Sequence, residues 1–344
     1  MYVNEKFKER YYCFNRKQPS LFYSKEKDHL SAKMSRRNKG SILLTGCLLI
    51  LFFGFFCTFP VFAQSFKIIV IPDTQWRSQK WPELSAKMAE WIVKNEKKEN
   101  IKYVLQVGDL VQVGSSEQEW ENISSAFKML DGKVPYIVAV GNHDYDRINP
   151  PKSTVLFNRF FPVERFRKMK GFGGSYPEGT NTNSFHTFKA RGKKWLILSL
   201  NFSPDEREIF WGNEVIKTHP DYQIILLTHS YLTHTKRDEA GEIIWNKLLR
   251  NYANVSMVFC GHLSTVHSKS EGDQGNIVCE MLFDWQNDRE RDPNSYFAII
   301  TIDPKKGTTS ARSYSPFLDK DLEGNSNKFE FTDINYLTNS GKQK

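Results

Sequence analysis

Short apolar runs recur along the chain after residue 66, and each of them stops at a polar cluster. The runs are five or six residues long and rich in β-branched or aromatic side chains, which is typical of buried β-strands. They cover residues 67–71, 103–107, 136–140, 222–227 and 255–260. Apolar residues at helical spacing predict helices over residues 81–99, 116–130, 204–217 and 239–250. This alternation predicts an α/β fold with crossover helices.

Residues 147–177 interrupt the alternation. The segment is rich in Phe, Arg, Lys, Gly and Pro, and it directly follows a polar cluster. A long irregular segment that leaves a site is typically a lid or a poorly ordered loop, and we expect one of the two here.

The second half of the chain adds further strands. Residues 184–189 and 194–200 predict a hairpin joined at Arg191-Gly192, and residues from Ser315 onward are polar and expected to be peripheral. We therefore expect one domain over residues 64–331, followed by a polar tail over residues 332–344. Its two sheets should lie face to face, with helices outside. The remaining predicted strands cover residues 276–283, 296–302 and 309–314.

The net charge of +9 is concentrated before this predicted domain. Residues 1–41 contain eleven Lys/Arg and four Asp/Glu and so carry +7, whereas residues 42–63 contain no charged side chain. Everything from Gln64 onward therefore carries only +2. A nearly balanced domain without a basic, aromatic-rich groove does not favour nucleic-acid binding. We expect residues 1–41 to be disordered, and no nucleic acid among the partners.

Residues 42–62 form an uncharged stretch of Leu, Phe and Ile that follows a cluster of Arg and Lys. It ends in Val61-Phe62-Ala63, with small or short residues where a signal peptidase cleaves. The stretch also suits an uncleaved membrane anchor, since about 20 apolar residues cross a bilayer. Both alternatives place residues 64–344 outside the cytoplasm, because the positive charges precede the span. We therefore expect an exported protein, periplasmic or extracellular, which contacts the membrane if the segment is retained.

Two of the five cysteines, Cys260 and Cys279, belong to the predicted domain, and each lies in an apolar, strand-like run. They either pair as a disulfide in an oxidising compartment or remain two buried thiols. Two cysteines are too few to build a structural zinc site by themselves.

Polar clusters at the strand ends contain the candidate chemistry. Asp, Asn and His at successive strand ends converge on one edge of a sheet, where open α/β folds place their sites. Their oxygen and imidazole donors suit a pair of divalent cations such as Mn, Fe, Zn or Ni. The clusters are Asp73-Thr74-Gln75, Gly108-Asp109, Gly141-Asn142-His143-Asp144, Thr228-His229 and Gly261-His262.

Two neighbouring cations need one ligand that bridges them, and a carboxylate does this well. Asp109 is the candidate bridge, because Gly108 before it permits a tight turn and a close backbone approach. Asp73 and Gln75 follow one strand closely enough to reach the same ion. A water between the ions would lose a proton and become the attacking hydroxide, so we expect hydrolysis of a phosphate ester. The other ion would be completed by Asn142, His229 and His262.

His143 has a separate expected role, because it neighbours a metal ligand without needing to bind metal itself. It could donate a proton to the leaving oxygen or stabilise developing charge. Asp144 beside it is expected to orient the imidazole through its other ring nitrogen, as carboxylates behind a metal site often do.

These clusters resemble the motifs of the calcineurin-like metallophosphoesterase superfamily. Those motifs run Asp-x-His or Gln, Gly-Asp, Gly-Asn-His-Asp or Glu, His, and Gly-His-x-His, and the match covers roughly residues 67–314. The resemblance implies a four-layer αββα sandwich, a dinuclear metal centre and hydrolysis of phosphomonoesters or phosphodiesters. Later blocks, among them Asp284-Trp285-Gln286, look like a secreted bacterial branch of the family. The resemblance places Asp73, Gln75 and Asp109 on the first metal, Asp109, Asn142, His229 and His262 on the second, and makes His143 the catalytic histidine.

Two positions depart from the family pattern. Gln75 stands where many members have His, and its amide oxygen binds a cation more weakly than imidazole does. Ser264 stands where the second His of Gly-His-x-His is expected, so the first metal loses an imidazole. Three outcomes stay open: loose or absent binding at the first position, a harder ion, or another ligand such as water or His267.

The ordered clusters predict an exported, metal-dependent phosphoesterase that acts on a small-molecule, lipid or polymer phosphate ester. One Asp or His at a strand end is more often a helix cap than a ligand, but that explanation does not account for five clusters in family order. The alternative is a non-catalytic metal- or ligand-binding protein that kept the fold and lost a productive first metal site at Ser264.

Overall fold

Two β-sheets form the centre of the computed structural model, which describes residues 65–146, 153–286 and 294–337. The strands, in chain order, are β1 (Phe66–Ile71), β2 (Ile101–Gln106), β3 (Tyr136–Val138), β4 (Phe172–Tyr176), β5 (Asn183–Ala190), β6 (Lys193–Ser199), β7 (Tyr222–Leu227), β8 (Val255–Cys260), β9 (Val266–Glu271), β10 (Ile277–Leu282), β11 (Phe297–Asp303), β12 (Thr308–Ser315), β13 (Lys320–Asp321) and β14 (Lys328–Phe331).

Helices connect these strands and cover the outer faces of the sheets. They are α1 (Gln75–Lys80), α2 (Pro82–Glu99), α3 (Glu117–Lys128), α4 (Val155–Phe160), α5 (Val163–Arg167), α6 (Glu206–Lys217) and α7 (Glu239–Lys247), with a 3-10 turn at Leu249–Asn251. Local sequence sets several boundaries. Pro82 begins α2, and Asn100 ends it in the left-handed conformation. A reciprocal pair of hydrogen bonds between Asp205 and Glu208 caps α6.

Each sheet is mixed, and its central strands are parallel. The first sheet has the order β13-β12-β11-β1-β2-β3, with β14 paired to β12, and β1, β2 and β3 run parallel. The second has the order β4-β5-β6-β7-β8-β10-β9, and β6, β7, β8 and β10 run parallel. Parallel strands end at the same edge of a sheet, so the residues that follow them are neighbours.

Alternating side chains along the strands create three apolar layers. Ile68 and Val70 of β1 point into the core between the sheets, whereas Ile69 and Ile71 pack under the helices α2 and α3. In β7, Ile225 faces the same central core, and its neighbours along the strand pack against α6 and α7. Because strand side chains alternate between faces, both sheets are covered on both sides. The predicted four-layer αββα class is confirmed.

The expectation of a lid or loose loop over residues 147–177 is wrong for the described part of that segment, residues 153–177. This part forms α4, α5 and β4, and the rings of Phe157, Phe161 and Phe166 are fully buried. The Phe161 ring centroid lies 5.6 Å from that of Phe127 on α3, and the Phe166 centroid lies 5.5 Å from that of Tyr136 on β3. The free energy gained by burying these rings orders the segment, although its Gly and Pro content favours an irregular loop. Residues 147–152 lie outside the described residues.

The expectation that residues from Ser315 onward are peripheral is also wrong. Phe331, Ile334 and Tyr336 are buried in the core between the sheets, and the Tyr336 ring lies 5.6 Å from that of Trp195. The Leu337 amide donates to the Gln223 side chain at 2.9 Å. The core therefore extends past the predicted domain boundary at residue 331. Residues 338–344 of the predicted tail lie outside the described residues.

Cys260 and Cys279 are both buried free thiols, so the second of the two alternatives for this pair holds. They lie on the neighbouring strands β8 and β10, where Cys279 is opposite Met257 rather than Cys260. The predicted export segment, residues 42–63, lies outside the described residues. Within the part of the chain that the structure describes, no helix combines the length and the apolar character needed to cross a bilayer.

Replacing Phe157 by Ala tests whether α4 belongs to the core. We expect the free energy of unfolding to fall by about 3–5 kcal/mol, because the change empties a fully buried aromatic site. Urea denaturation measures the loss. Phe210→Ala on α6 is the matched control, since that side chain is 67% exposed, and it should change the value by less than about 0.5 kcal/mol. Equal stabilities for the two variants would contradict the packing described here.

Candidate metal centre

The predicted ligand residues meet where strands of both sheets end. Asp73, Asp109 and Asn142 follow β1, β2 and β3, while His229 and His262 follow β7 and β8. Gln75 is the first residue of α1. The side chains of Asp73, Gln75, Asp109 and His229 are buried, whereas Asn142 and His262 are partly exposed. The edge therefore combines buried donor atoms with access from solvent.

His229 lies at the centre of this group. Its Nδ1 lies 2.9 Å from the Val107 carbonyl oxygen, which can only accept, so Nδ1 carries the proton of that hydrogen bond. Its Nε2 lies 3.2 Å from Asp109 Oδ2 and 3.1 Å from Asn142 Oδ1. A donor atom from each of Asp109, His229 and His262 lies within 4.8 Å of the other two. The Val107 contact thus leaves Nε2 directed toward the other donor atoms, as in metal-binding histidines.

The backbone is strained at two of these positions. Asp109 has φ of 51° and His262 has φ of 79°, in the left-handed region that residues other than glycine seldom adopt. Such outliers persist only where the surrounding structure holds them, and they cluster at functional sites. Gly261 lets the backbone before His262 lie close to the Asp73 carboxylate, because a Cβ at this position would lie 2.2 Å from Asp73 Oδ1.

Asp73 is fixed from three directions. Its carboxylate accepts hydrogen bonds from the His262 amide at 3.2 Å and from Gln286 Nε2 at 3.1 Å. Its backbone carbonyl accepts a 2.6 Å bond from the buried Arg77 guanidinium. These hydrogen bonds fix the position of the Asp73 carboxylate at the site.

Burial makes the electrostatics of the site unfavourable without a cation. Burial, followed by the charge of Asp284, raises the pKa of Asp73 well above its usual range. Burial would lower the pKa of His229, but Asp109 and Asp73 outweigh it and raise that pKa to about 10. The carboxylates thus favour a positive charge at the position of His229 Nε2. A divalent cation would supply it and displace the proton.

His143 has a different partner from the one expected. Its Nδ1 lies 2.9 Å from the Gln112 carbonyl oxygen, and its backbone amide donates to Asp109 Oδ1 at 2.8 Å. The Asp144 carboxylate instead accepts from the amides of Val111 at 3.1 Å and Gly141 at 2.7 Å. The expectation that Asp144 orients the His143 ring is therefore wrong. Asp144 holds the turn that positions Asn142 and His143.

His267 does not supply the imidazole ligand that is missing at Ser264. That residue lies on β9, opposite Met281, and its ring stacks on Phe329 with centroids 3.7 Å apart. Its neighbours are aromatic side chains of β14, so the idea that His267 folds back as a ligand is wrong.

Three contributions to the site were missed at the level of sequence. Asp284 directly follows a predicted strand, so the strand-end rule that selected the other clusters could have selected it too. From the sequence, Gln286 is recognised only as part of Asp284-Trp285-Gln286, a block that resembles one branch of the family. The Gln112 carbonyl has no sequence signal, because every residue offers one.

The donor atoms fit divalent cations. Gln75 Oε1 and Gln286 Oε1 are buried and have no hydrogen-bond partner among the described residues, and Asp109 Oδ2 has only the His229 imidazole, at 3.2 Å. Buried polar atoms are nearly always paired, so several such oxygens around one carboxylate cluster indicate an absent partner. Carboxylate and amide oxygens together with imidazole nitrogen form a donor set for Mn, Fe, Zn or Ni.

Comparison with known proteins agrees with this geometry. Residues 66–265 match the family model described as calcineurin-like phosphoesterase. The uncharacterized protein YvnB of Bacillus subtilis (strain 168) is 29% identical over 288 residues, which cover 79% of this chain and 22% of YvnB. The chain thus spans less than a quarter of the length of that curated relative.

The first of two solved structures that align with this chain shows the same fold. The purple acid phosphatase PPD1 from yellow lupin seeds aligns with a TM-score of 0.52 and 12% identity, over 78% of this chain and 54% of that chain. The calcineurin-like phosphoesterase YfkN from Bacillus subtilis aligns with a TM-score of 0.42 and 12% identity, over 78% and 88% of the two chains.

Replacing Gly261 by Ala tests whether the approach to Asp73 matters for cation binding. The new Cβ would displace the Asp73 carboxylate, and we expect cation affinity to fall roughly 10- to 100-fold, as when a ligand loses its support. Calorimetric titration of metal-free, full-length protein with Mn²⁺ measures this. Gly212→Ala on α6 is the control, since its Cβ would have a nearest neighbour at 3.4 Å. Unchanged affinity in Gly261→Ala would show that Asp73 does not hold a cation.

Proposed function

This chain belongs to the calcineurin-like phosphoesterase family, and we propose that it is a metal-dependent phosphoesterase. It hydrolyses a phosphomonoester or a phosphodiester. One observation supports the proposal above all others: Asp109 Oδ2 and Asn142 Oδ1 lie 3.2 Å and 3.1 Å from His229 Nε2, and a donor atom of His262 lies within 4.8 Å of those of Asp109 and His229. These are the atoms that would have to approach each other to hold a cation.

Two divalent cations are the cofactors that this donor set favours. Asp73, Gln75 and Asp109 would hold the first, and Asp109 would be shared between the two. Bound there, the cations would polarise phosphoryl oxygens and make a nearby water acidic. Asn142, His229 and His262 would complete the ligands of the second cation.

His143 is the proposed proton donor to the leaving oxygen. Because its Nδ1 is bonded to the Gln112 carbonyl, the proton must come from Nε2, with the ring in its imidazolium form. The bond from its backbone amide to Asp109 Oδ1 fixes the distance between this donor and the proposed bridging carboxylate. Asp144 supports the arrangement by holding the Gly141 and Val111 amides.

Phe202 shapes the apolar wall of the site. Its ring centroid lies 5.8 Å from that of His229 and 5.6 Å from that of His262. An apolar ring against two imidazoles excludes water from one side and strengthens the electrostatic interactions there. The partly exposed side chains of Asn142, His143 and His262 leave the other side open to a small-molecule, lipid or polymer phosphate ester.

Replacing His143 by Ala tests the proposed proton transfer. We expect kcat for bis-p-nitrophenyl phosphate to fall by about 10²- to 10⁴-fold, because general acid catalysis is lost. Metal content, measured by elemental analysis, should not change. His219→Ala is the control, since that imidazole bonds to the Val215 carbonyl at the end of α6, away from the site.

Two results would contradict the proposed function. Full activity in His143→Ala would exclude the proposed role of that residue. Wild-type protein that binds no cation and hydrolyses no phosphate ester would favour the non-catalytic binding protein instead.

Export of residues 64–344 is the second part of the proposal, and it rests on the apolar, uncharged segment of residues 42–63. Changing both Leu49 and Phe53 to Arg should retain the protein in the cytoplasm, since each charge costs about 3 kcal/mol in a membrane-inserted helix. Immunoblotting of the cytoplasmic, membrane and extracytoplasmic fractions measures the outcome. Phe14→Arg with Leu21→Arg, placed in the basic segment, is the control. Wild-type protein found only in the cytoplasmic fraction would contradict export.

A further inference from the structure

The chain segment that contains Ser264 lies directly against the turn that follows β10. Thr265 Oγ1 donates to the Asp284 carbonyl at 2.8 Å, and the Asp284 amide donates back to Thr265 Oγ1 at 3.1 Å. The Phe283 amide donates to the Cys260 carbonyl at 3.0 Å, so β8 and β10 stay adjacent up to the site. The position that lacks the family's second His is thus next to residues 284–286.

Local hydrogen bonds direct the Gln286 side chain toward Asp73. The Gln286 backbone amide donates a hydrogen bond to Asp284 Oδ1 at 2.8 Å, and this bond closes a turn. Trp285 between them is buried, and its Nε1 donates to Asn327 Oδ1 at 3.0 Å. Held in this way, Gln286 Nε2 lies 3.1 Å from Asp73 Oδ2. The turn therefore places the neutral side-chain amide of Gln286 at the proposed first metal position.

The Gln286 amide has an oxygen without a partner. Gln286 Oε1 is buried and accepts no hydrogen bond among the described residues, and the same is true of Gln75 Oε1. Gln286 is hydrogen-bonded to Asp73, and Gln75 is the buried first residue of α1, two positions after Asp73. The oxygen and nitrogen of an amide exchange places by rotation about one bond. With a cation on Asp73, the favourable orientation would present the oxygen to the ion.

We propose that Gln286 supplies the ligand that Ser264 lacks, so that the first metal position consists of oxygen donors alone. This assignment rests on the proposed phosphoesterase function. It makes Asp73, Gln75, Asp109 and Gln286 the ligands of the first metal position. Asp284 is a positioning residue, because it holds the Gln286 backbone and adds negative charge behind Asp73.

An oxygen-only position has a different metal preference from its neighbour. Carboxylate and carbonyl oxygens suit hard cations such as Mn²⁺ and Mg²⁺, whereas imidazole suits Zn²⁺ and Ni²⁺. The second position contains His229 and His262, and the first would contain no nitrogen. The centre would therefore be chemically asymmetric, with Mn²⁺ or Mg²⁺ preferred at the first position.

Titration of metal-free, full-length protein with Mn²⁺ tests the assignment. Wild-type protein should bind two equivalents and give the spin-coupled electron paramagnetic resonance spectrum of two neighbouring Mn²⁺ ions. Gln286→Leu, which keeps the size but removes the ligand atom, should weaken one of the two equivalents at least tenfold and give the spectrum of an isolated ion. Gln118→Leu, exposed on α3, is the matched control and should behave as wild type.

Two further variants separate a ligand from a structural role. Gln286→Glu keeps an oxygen but has no amide donor, so it should retain both Mn²⁺ ions if Gln286 is a ligand. It should resemble Gln286→Leu if only the bond to Asp73 matters. Adding Ser264→His to Gln286→Leu should restore the second equivalent and shift its preference from Mn²⁺ toward Zn²⁺. Gln286→Glu also keeps the test decisive if Gln286→Leu fails to fold.

The outcomes distinguish this assignment from the proposed function. If Gln286→Leu and wild type bind two Mn²⁺ ions equally well and both hydrolyse bis-p-nitrophenyl phosphate, the Gln286 assignment is overturned and the phosphoesterase function stands. If wild type itself neither binds Mn²⁺ nor hydrolyses the ester, both are overturned.

Discussion

Negative charge held out of water is the constraint on which the site depends. Asp73 and Asp109 are buried, and His229 between them reaches both carboxylates from its two ring nitrogens, at 4.0 Å and 3.2 Å. Burying carboxylates is expensive unless an opposite charge compensates them. An imidazolium compensates them partly, and a divalent cation would do so more fully. The fold thus prepares a place for positive charge before any ion arrives.

The sandwich makes this arrangement rigid. Asp109 and His262 adopt backbone conformations that cost on the order of 1–3 kcal/mol each, and both lie in the turns that follow buried parallel strands. Hydrogen bonds then lock these turns to one another: the His143 amide reaches Asp109, and the His262 amide reaches Asp73. Backbone amides therefore help to hold donor side chains that follow strands of both sheets.

The strand pattern was predictable from sequence, because buried parallel strands are continuous apolar runs. The predicted strands over residues 222–227 and 255–260 coincide with β7 and β8, and the clusters after them meet those after β1 and β2. Residues 153–177 were not predictable, since local Gly and Pro content does not reveal that Phe157 packs against Trp120 of α3 and Phe166 against Tyr136 of β3. Contacts between elements were equally hidden. The Gln112 carbonyl and the Gln286 amide become visible only when separate strand ends are adjacent.

The burial of Ile334 and Tyr336 between the sheets has a consequence for biosynthesis. The central strand β1 pairs with β11, so Phe66 lies opposite Ile302, and the core closes only when residues 334–337 join it. A nascent chain cannot complete this core until those residues have left the ribosome, and pairings so distant in sequence form slowly. The core between the sheets, and with it the edge that carries the candidate ligands, is therefore complete only after residues 334–337 have been synthesised.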